Sequence, residues 1–167
     1  FTRNRSNDDG GGLYIDGAGP AMVTNTTFSA NTSGYWGGAI CTGSSGVITL
    51  TNSTLTGNGA SVAGGGVRNL GKLSFRNTII ANSGPGADCT NVGTLLSNVS
   101  NLVKDGTCSP ALTGDPVLGL LADNGGGGRA PPPPSLVSLH HLPPPTPLRR
   151  HDGGEADKKK KNKRKRT

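Results

Sequence analysis

The chain is expected to be all-β: a right-handed parallel β-helix of about three coils of 27 residues, then a C-terminal capping segment and a disordered tail. Three observations lead there. A glycine run followed by an apolar residue recurs as Gly10-Gly11-Gly12-Leu13, Gly37-Gly38-Ala39-Ile40 and Gly64-Gly65-Gly66-Val67, with a step of 27 both times. Phe1-x-x-Asn4 returns as Phe28-x-x-Asn31 and Leu55-x-x-Asn58 with the same step of 27. Segments such as Ile48-Thr49-Leu50-Thr51 and Leu73-Ser74-Phe75-Arg76 alternate apolar and polar, as half-buried strands do, and no segment sustains the helical period. A fixed period in this range marks a stacked architecture in which each unit buries its apolar residues against its neighbours.

The elements follow in chain order. Each coil holds two or three short strands separated by Gly, Asn and Ser turns. Leu13, Ile40 and Val67 are predicted to form one inward column. Ala21, Ile48 and Leu73 form a second, and Val23, Leu50 and Phe75 a third. Phe28, Leu55 and Ile80 form a fourth, the last after a loop shortened by two residues. Glycine at 10–12, 37–38 and 64–66 permits a sharp corner with positive φ. Asn25, Asn52 and Asn77 recur at turns, where stacked amides satisfy backbone groups, and Asn31 and Asn58 are placed to do the same. Asn82 falls one place short of that second register.

Composition divides the chain. Residues 1–128 hold 26 of the 28 glycines and carry six basic against seven acidic residues, a net charge of −1. Residues 129–167 carry eleven basic against three acidic, a net charge of +8. The folding part is therefore not basic, and the overall +7 belongs to the tail. That tail, with Pro131 to Pro134, Pro143 to Pro145 and the run Lys158–Arg166, can bury little and is expected to stay disordered. The divisions are thus β-helix coils over 1–88, a C-terminal β-helix or capping segment over 89–126 and a disordered Pro-rich and basic tail over 127–167. The chain opens inside a repeat at Phe1, so further coils are expected before it.

The residues carry a family resemblance. Phe28-x-x-Asn31 together with Gly37-Gly38-Ala39-Ile40 resembles the polymorphic outer-membrane protein repeat. Asn77-Thr78-Ile79-Ile80-Ala81-Asn82, Asp88-Cys89, Asn101-Leu102-Val103 and Asp105-Gly106-Thr107-Cys108 are similar to bacterial right-handed β-helix proteins of the choice-of-anchor type. Asp115-Pro116-Val117-Leu118-Gly119 and Leu121 to Gly126 resemble the closing segment of those proteins. The resemblance covers residues 1–126 and implies a secreted or surface-exposed repeat protein with an adhesive role. It implies a disulfide between Cys89 and Cys108, the alternative being two reduced buried thiols. After Gly126 the likeness stops, and a reading-frame change over Gly126–Arg129 accounts for the break in pattern and charge.

Function is less legible than fold. A stalk contacting a host-cell surface, matrix or glycans is the leading expectation, at an extracellular, cell-surface or outer-membrane location. The alternative is a fragment of a β-helix polysaccharide lyase or glycoside hydrolase. Hydrolysis needs a placed carboxylate pair. The adjacent pair Asp8-Asp9 lies in a turn before a glycine run, a place that favours solvated side chains. No histidine precedes residue 128; His140, His141 and His151 are all in the tail. Arg68, Lys72 and Arg76 form a small basic group without an acidic counterpart, as solubilising edge charges do. No catalytic, cofactor-binding or metal residue is assigned, and the cysteines lack C-x-x-C spacing. Cys41 takes the place of Tyr14 and Arg68 in its coil and is expected to face outward as a spare thiol. Tyr35-Trp36 sit together in a turn and could stack on a sugar ring. The basic tail reads superficially as a nucleic-acid patch, but no accompanying motif supports nucleic acid as a partner. No apolar run is long enough for a transmembrane helix.

Overall fold

A computed structural model describes residues 1–17, 19–119 and 121–122. The readings placed on the tail, on the histidines and on the Gly126–Arg129 junction lie outside these residues. The chain enters on β1 (Arg5–Ser6). Coil one runs through β2 (Leu13–Ile15), β3 (Pro20–Thr24), β4 (Thr27–Ser29) and β5 (Thr32–Ser33). Coil two follows with β6 (Ile40–Thr42), β7 (Val47–Thr51), β8 (Thr54–Thr56) and β9 (Gly59–Ala60). Coil three holds β10 (Val67–Asn69), β11 (Lys72–Arg76) and β12 (Ile79–Ala81), and coil four β13 (Cys89–Asn91), β14 (Thr94–Val99) and β15 (Leu102–Val103). Three four-stranded sheets result, ordered β13-β10-β6-β2, β14-β11-β7-β3 and β15-β12-β8-β4, with a short sheet β1-β5-β9 beside them. All pairings are parallel, so the described chain is an all-β parallel β-helix of four turns.

The four predicted columns stack in register. Leu13 pairs with Ile40 and Ile40 with Val67. Ala21 and Val23 pair with Ile48 and Leu50, which pair with Leu73 and Phe75. Phe28, Leu55 and Ile80 follow the same rule. The inner coils bury these side chains completely, whereas Leu13, Ala21 and Val23 on the first coil are half-buried. The core is thus a narrow column, and its lining alternates with outward polar positions, as β7 shows. A chain with 31% apolar residues can fill it because each apolar side chain packs against the apolar residue at the equivalent position one coil away.

Each coil turns at three corners, and each corner places one residue in the left-handed region. The first corner is Gly10, Gly37, Gly64 and Gly86, at φ of 64°, 66°, 67° and 90°. A Cβ on Gly64 would lie 2.5 Å from the Val67 carbonyl oxygen, so only glycine fits. The second corner is Asn25, Asn52, Asn77 and Ser100, at φ near 50°. The third is Arg3, Ala30, Gly57 and Asn82, at φ of 54°, 55°, 63° and 58°. Asn82 is therefore a corner residue, which is why it misses the Asn31–Asn58 register.

The buried amides close what the backbone leaves open. Asn4 donates to Asn31 Oδ1 from its backbone N and Nδ2, at 3.0 and 2.9 Å. Asn31 donates in the same way to Asn58 Oδ1, at 2.9 Å for both bonds. Asn58 Nδ2 then donates to the carbonyls of Phe28 and Thr56, at 3.0 and 3.2 Å. One more coil along, Asp88 Oδ1 accepts from the Ser83 backbone N at 2.9 Å and replaces the missing amide. A second polar column, Thr42, Asn69 and Asn91, has no counterpart among the sequence expectations. Thr42 Oγ1 bonds to Asn69 Oδ1 at 2.7 Å, and Asn69 Nδ2 to Asn91 Oδ1 at 2.6 Å. At the turn register, Asn77 Nδ2 donates to Asn52 Oδ1 at 3.2 Å.

The C-terminal β-helix or capping segment begins with a fourth coil, β13 to β15. Val67 pairs with Cys89, so the step falls from 27 to 22 residues. Register shifts between Leu73 and Ser74, where Leu96 bulges outward from β14. Asn98 then faces Phe75 and donates to the carbonyls of Cys108 and Ser109, each at 2.8 Å, ending the apolar column with a polar cap. Leu112 adds a bridge to Leu102, and Lys104 pairs with Asp115 at 2.9 Å. Replacement of Asn58 by Ala strips acceptors and donors from buried backbone groups, so Asn58→Ala should cost about 2–4 kcal/mol in urea unfolding. Ala30→Gly, which relieves an alanine held at φ 55°, should instead stabilise by about 0.5 kcal/mol.

Candidate functional site

The sheets have an outward as well as an inward face, and the chemistry-bearing residues collect on one part of it. The middle position of β2, β6 and β10 points away from the core and stacks Tyr14, Cys41 and Arg68 in register. The turns before the glycine corners stack beside them. Tyr35 N donates to the Asp8 carbonyl at 3.2 Å, and Val62 N to the Tyr35 carbonyl at 3.0 Å, so Asp8, Tyr35 and Val62 form a column. Trp36 bridges to Ala63, and its backbone N donates to Asp9 Oδ1 at 3.1 Å. The turn holding the aromatics is therefore fixed from both neighbouring coils.

Side chains then reach across the columns. The Tyr35 and Trp36 rings meet edge to face, with centroids 5.4 Å apart and planes inclined by 75°. The Arg68 guanidinium carbon lies 5.2 Å from the Trp36 ring centroid, a cation–π contact. Arg68 Nε is buried and has no hydrogen-bond partner among the described residues. Tyr14 and Tyr35 remain about half exposed, at 49% and 51%. Tyr14 Oη lies 3.4 Å from Asp16 Oδ2, which puts a further carboxylate at the edge of the cluster.

Three sequence readings need correction or placement here. Cys41 does sit at the outward register of Tyr14 and Arg68, but it is fully buried, because those longer side chains flank it on both neighbouring coils. Burial pushes its thiol up to about 12; the Asp9 carboxylate adds to the shift and the Arg68 guanidinium opposes it. It is a sheltered neutral group, not an exposed thiol. The basic group divides: Lys72 and Arg76 are exposed at the two ends of β11, whereas Arg68 belongs to a different sheet and turns toward Trp36. Of the pair Asp8-Asp9, Asp9 is engaged with the Trp36 backbone and Asp8 is exposed. The Arg68–Trp36 contact went unread in the sequence, although the repeat register already put Arg68 one coil above Cys41.

The structure brings Cys89 and Cys108 together, with Cα atoms 5.7 Å apart and a sulfur–sulfur distance of 2.10 Å. Around them Cys89 N donates to Thr107 Oγ1 at 2.9 Å, and Asp88 N to Asp105 Oδ2 at 2.8 Å. Among the described residues no group of three or more His, Cys, Asp or Glu side chains is placed to hold a metal ion. No helix of the described residues is long and apolar enough to cross a membrane.

Two expectations follow for the thiols. Alkylation of the native protein without reductant should label neither Cys89 nor Cys108, and Cys108→Ser should lose about 3 kcal/mol of stability. Cys41 should react slowly with a disulfide reagent at pH 8 and fully after denaturation, and Arg68→Ala, which opens one flank, should accelerate the native reaction.

The Chlamydia polymorphic membrane protein repeat model matches residues 25–43. The matched stretch runs from the Asn25 corner through Phe28 and Asn31 to the Gly37-Gly38-Ala39-Ile40 corner, and it contains the Tyr35-Trp36 turn. Neither a curated protein nor a solved structure matches the chain. The repeat match falls on one stretch of a parallel β-helix of four turns, so the chain contains a coil similar to the polymorphic membrane protein repeat.

Proposed function

We propose that this chain is an adhesive segment of an exported protein, displayed at the outer membrane or cell surface and contacting host-cell surfaces. The observation that carries the proposal is the polymorphic membrane protein repeat over residues 25–43, in a coil that also displays an aromatic cluster outward. Physical features agree with the reading. A stack tied coil to coil by parallel strands and buried amides is a stiff rod that holds surface side chains at fixed spacing. The Cys89–Cys108 bond is at home in an oxidising compartment. The catalytic alternative finds no support in the described residues, since the one adjacent carboxylate pair is split between a backbone contact and solvent.

The test is direct binding of the full purified chain to cultured epithelial cells. The expected outcome is saturable binding that excess unlabelled chain displaces and that prior unfolding abolishes. Binding no greater than that of an unrelated β-helix of similar charge would contradict the proposal.

A further inference from the structure

The cluster around Trp36 has the composition of a recognition site, and its charge selects among ligands. Three columns meet there: Asp8 and Tyr35, Asp9 and Trp36, and Tyr14, Cys41 and Arg68. Tyr35 stands half exposed against the Trp36 ring, and Tyr14 half exposed one coil before Cys41. Neighbouring positions in such columns lie about 4.8 Å apart, close to the width of one sugar ring. The aromatic turn cannot swing away, because Asp9 bonds to its backbone from one coil and coil three bonds to it from the other. A fixed aromatic face costs little entropy on binding.

We propose that this platform binds the pyranose ring of a neutral glycan. The inference rests on the adhesive reading and names its ligand class. The apolar face of a pyranose stacks on an exposed aromatic ring, and its hydroxyls need donors and acceptors at the rim. The Arg68 guanidinium, held against the Trp36 ring, supplies N–H donors from its terminal nitrogens. Asp8, at the exposed edge beside Tyr35, and Asp16, beside Tyr14, supply acceptors. Charge excludes acidic sugars. On the face around Cys41, one guanidinium, already engaged with the Trp36 ring, is outnumbered by the three carboxylates of Asp8, Asp9 and Asp16, so a sialic, uronic or sulfated residue meets net repulsion. The buried Cys41 side chain beneath the cluster adds no positive charge.

The chain carries a single tryptophan, so Trp36 fluorescence reports on this site alone. The full chain should be titrated with lactose, with methyl glucoside and with sialyllactose. A saturable change in Trp36 emission is expected with at least one neutral sugar, at least tenfold weaker with sialyllactose. Tyr35→Ala and Arg68→Gln should each weaken the neutral-sugar response at least tenfold while circular dichroism stays unchanged. Absence of any response to neutral sugars, or equal or tighter binding of sialyllactose, overturns the inference. So does a response that survives both variants. Cell binding that persists in Tyr35→Ala and resists free sugar would sink the glycan site and leave adhesion standing. Saturable sugar binding by a chain that does not bind cells would sink adhesion and leave the glycan site standing.

Discussion

Everything in this molecule depends on the vertical hydrogen bond between one coil and the next. A coil of 27 residues with so few apolar side chains cannot fold alone. Its backbone groups are satisfied by the coil above and the coil below, and its apolar residues are buried by the apolar residues at equivalent positions of those coils. The hard places are the corners, where strands end and backbone groups face inward without a ladder. There the chain places amides whose side chains reach the adjacent coil. Asn4 and Asn31 do this, each with a backbone and a side-chain donor to the carboxamide oxygen of the asparagine one coil on. An unpaired polar group in that position costs about 1–3 kcal/mol, which is a large share of the stability of a small stack. The corners therefore decide whether the narrow core can exist.

This dependence explains what could be read from the sequence and what could not. The inward columns were legible because a parallel stack forces equivalent residues onto the same register, so Leu13, Ile40 and Val67 reveal themselves by spacing alone. The glycine corners and the Asn31–Asn58 pair were legible for the same reason. Coil four was not, because its step shrinks to 22 residues and Leu96 bulges from its middle strand, which breaks the numerical period without breaking the pairing. Ala30 gave no sign of a left-handed corner, since alanine has no preference for one. The column of Thr42, Asn69 and Asn91 was hidden because hydroxyl and amide play one role in different coils.

The outward face was read least well. Register fixes which way a side chain leaves the strand but not how far its neighbours extend. Cys41 points outward and is buried all the same, because Tyr14 and Arg68 are long and Cys41 is short. The Trp36–Arg68 contact joins a turn of coil two to a strand of coil three, a diagonal that one-dimensional spacing does not display. Surface chemistry on a solenoid comes from such diagonals between columns. A uniform repeat makes the scaffold, and a few departures from it, here one tryptophan, one arginine and the short thiol between long neighbours, make a distinct place on the surface.

The account is tested most directly by native-state hydrogen exchange, resolved by residue, on the full chain. Protection should recur at the coil step, strongest for the amides of Ile40, Leu50, Leu55 and Val67 on the inner coils and for the Asn31 amide bonded to the Asn58 side chain. It should fade toward β2–β4 of the first coil and β13–β15 of the fourth, which have a neighbour on one side only. Protection without that periodicity, or an Asn31 amide exchanging as fast as an exposed loop, would contradict a stack held together by coil-to-coil hydrogen bonds.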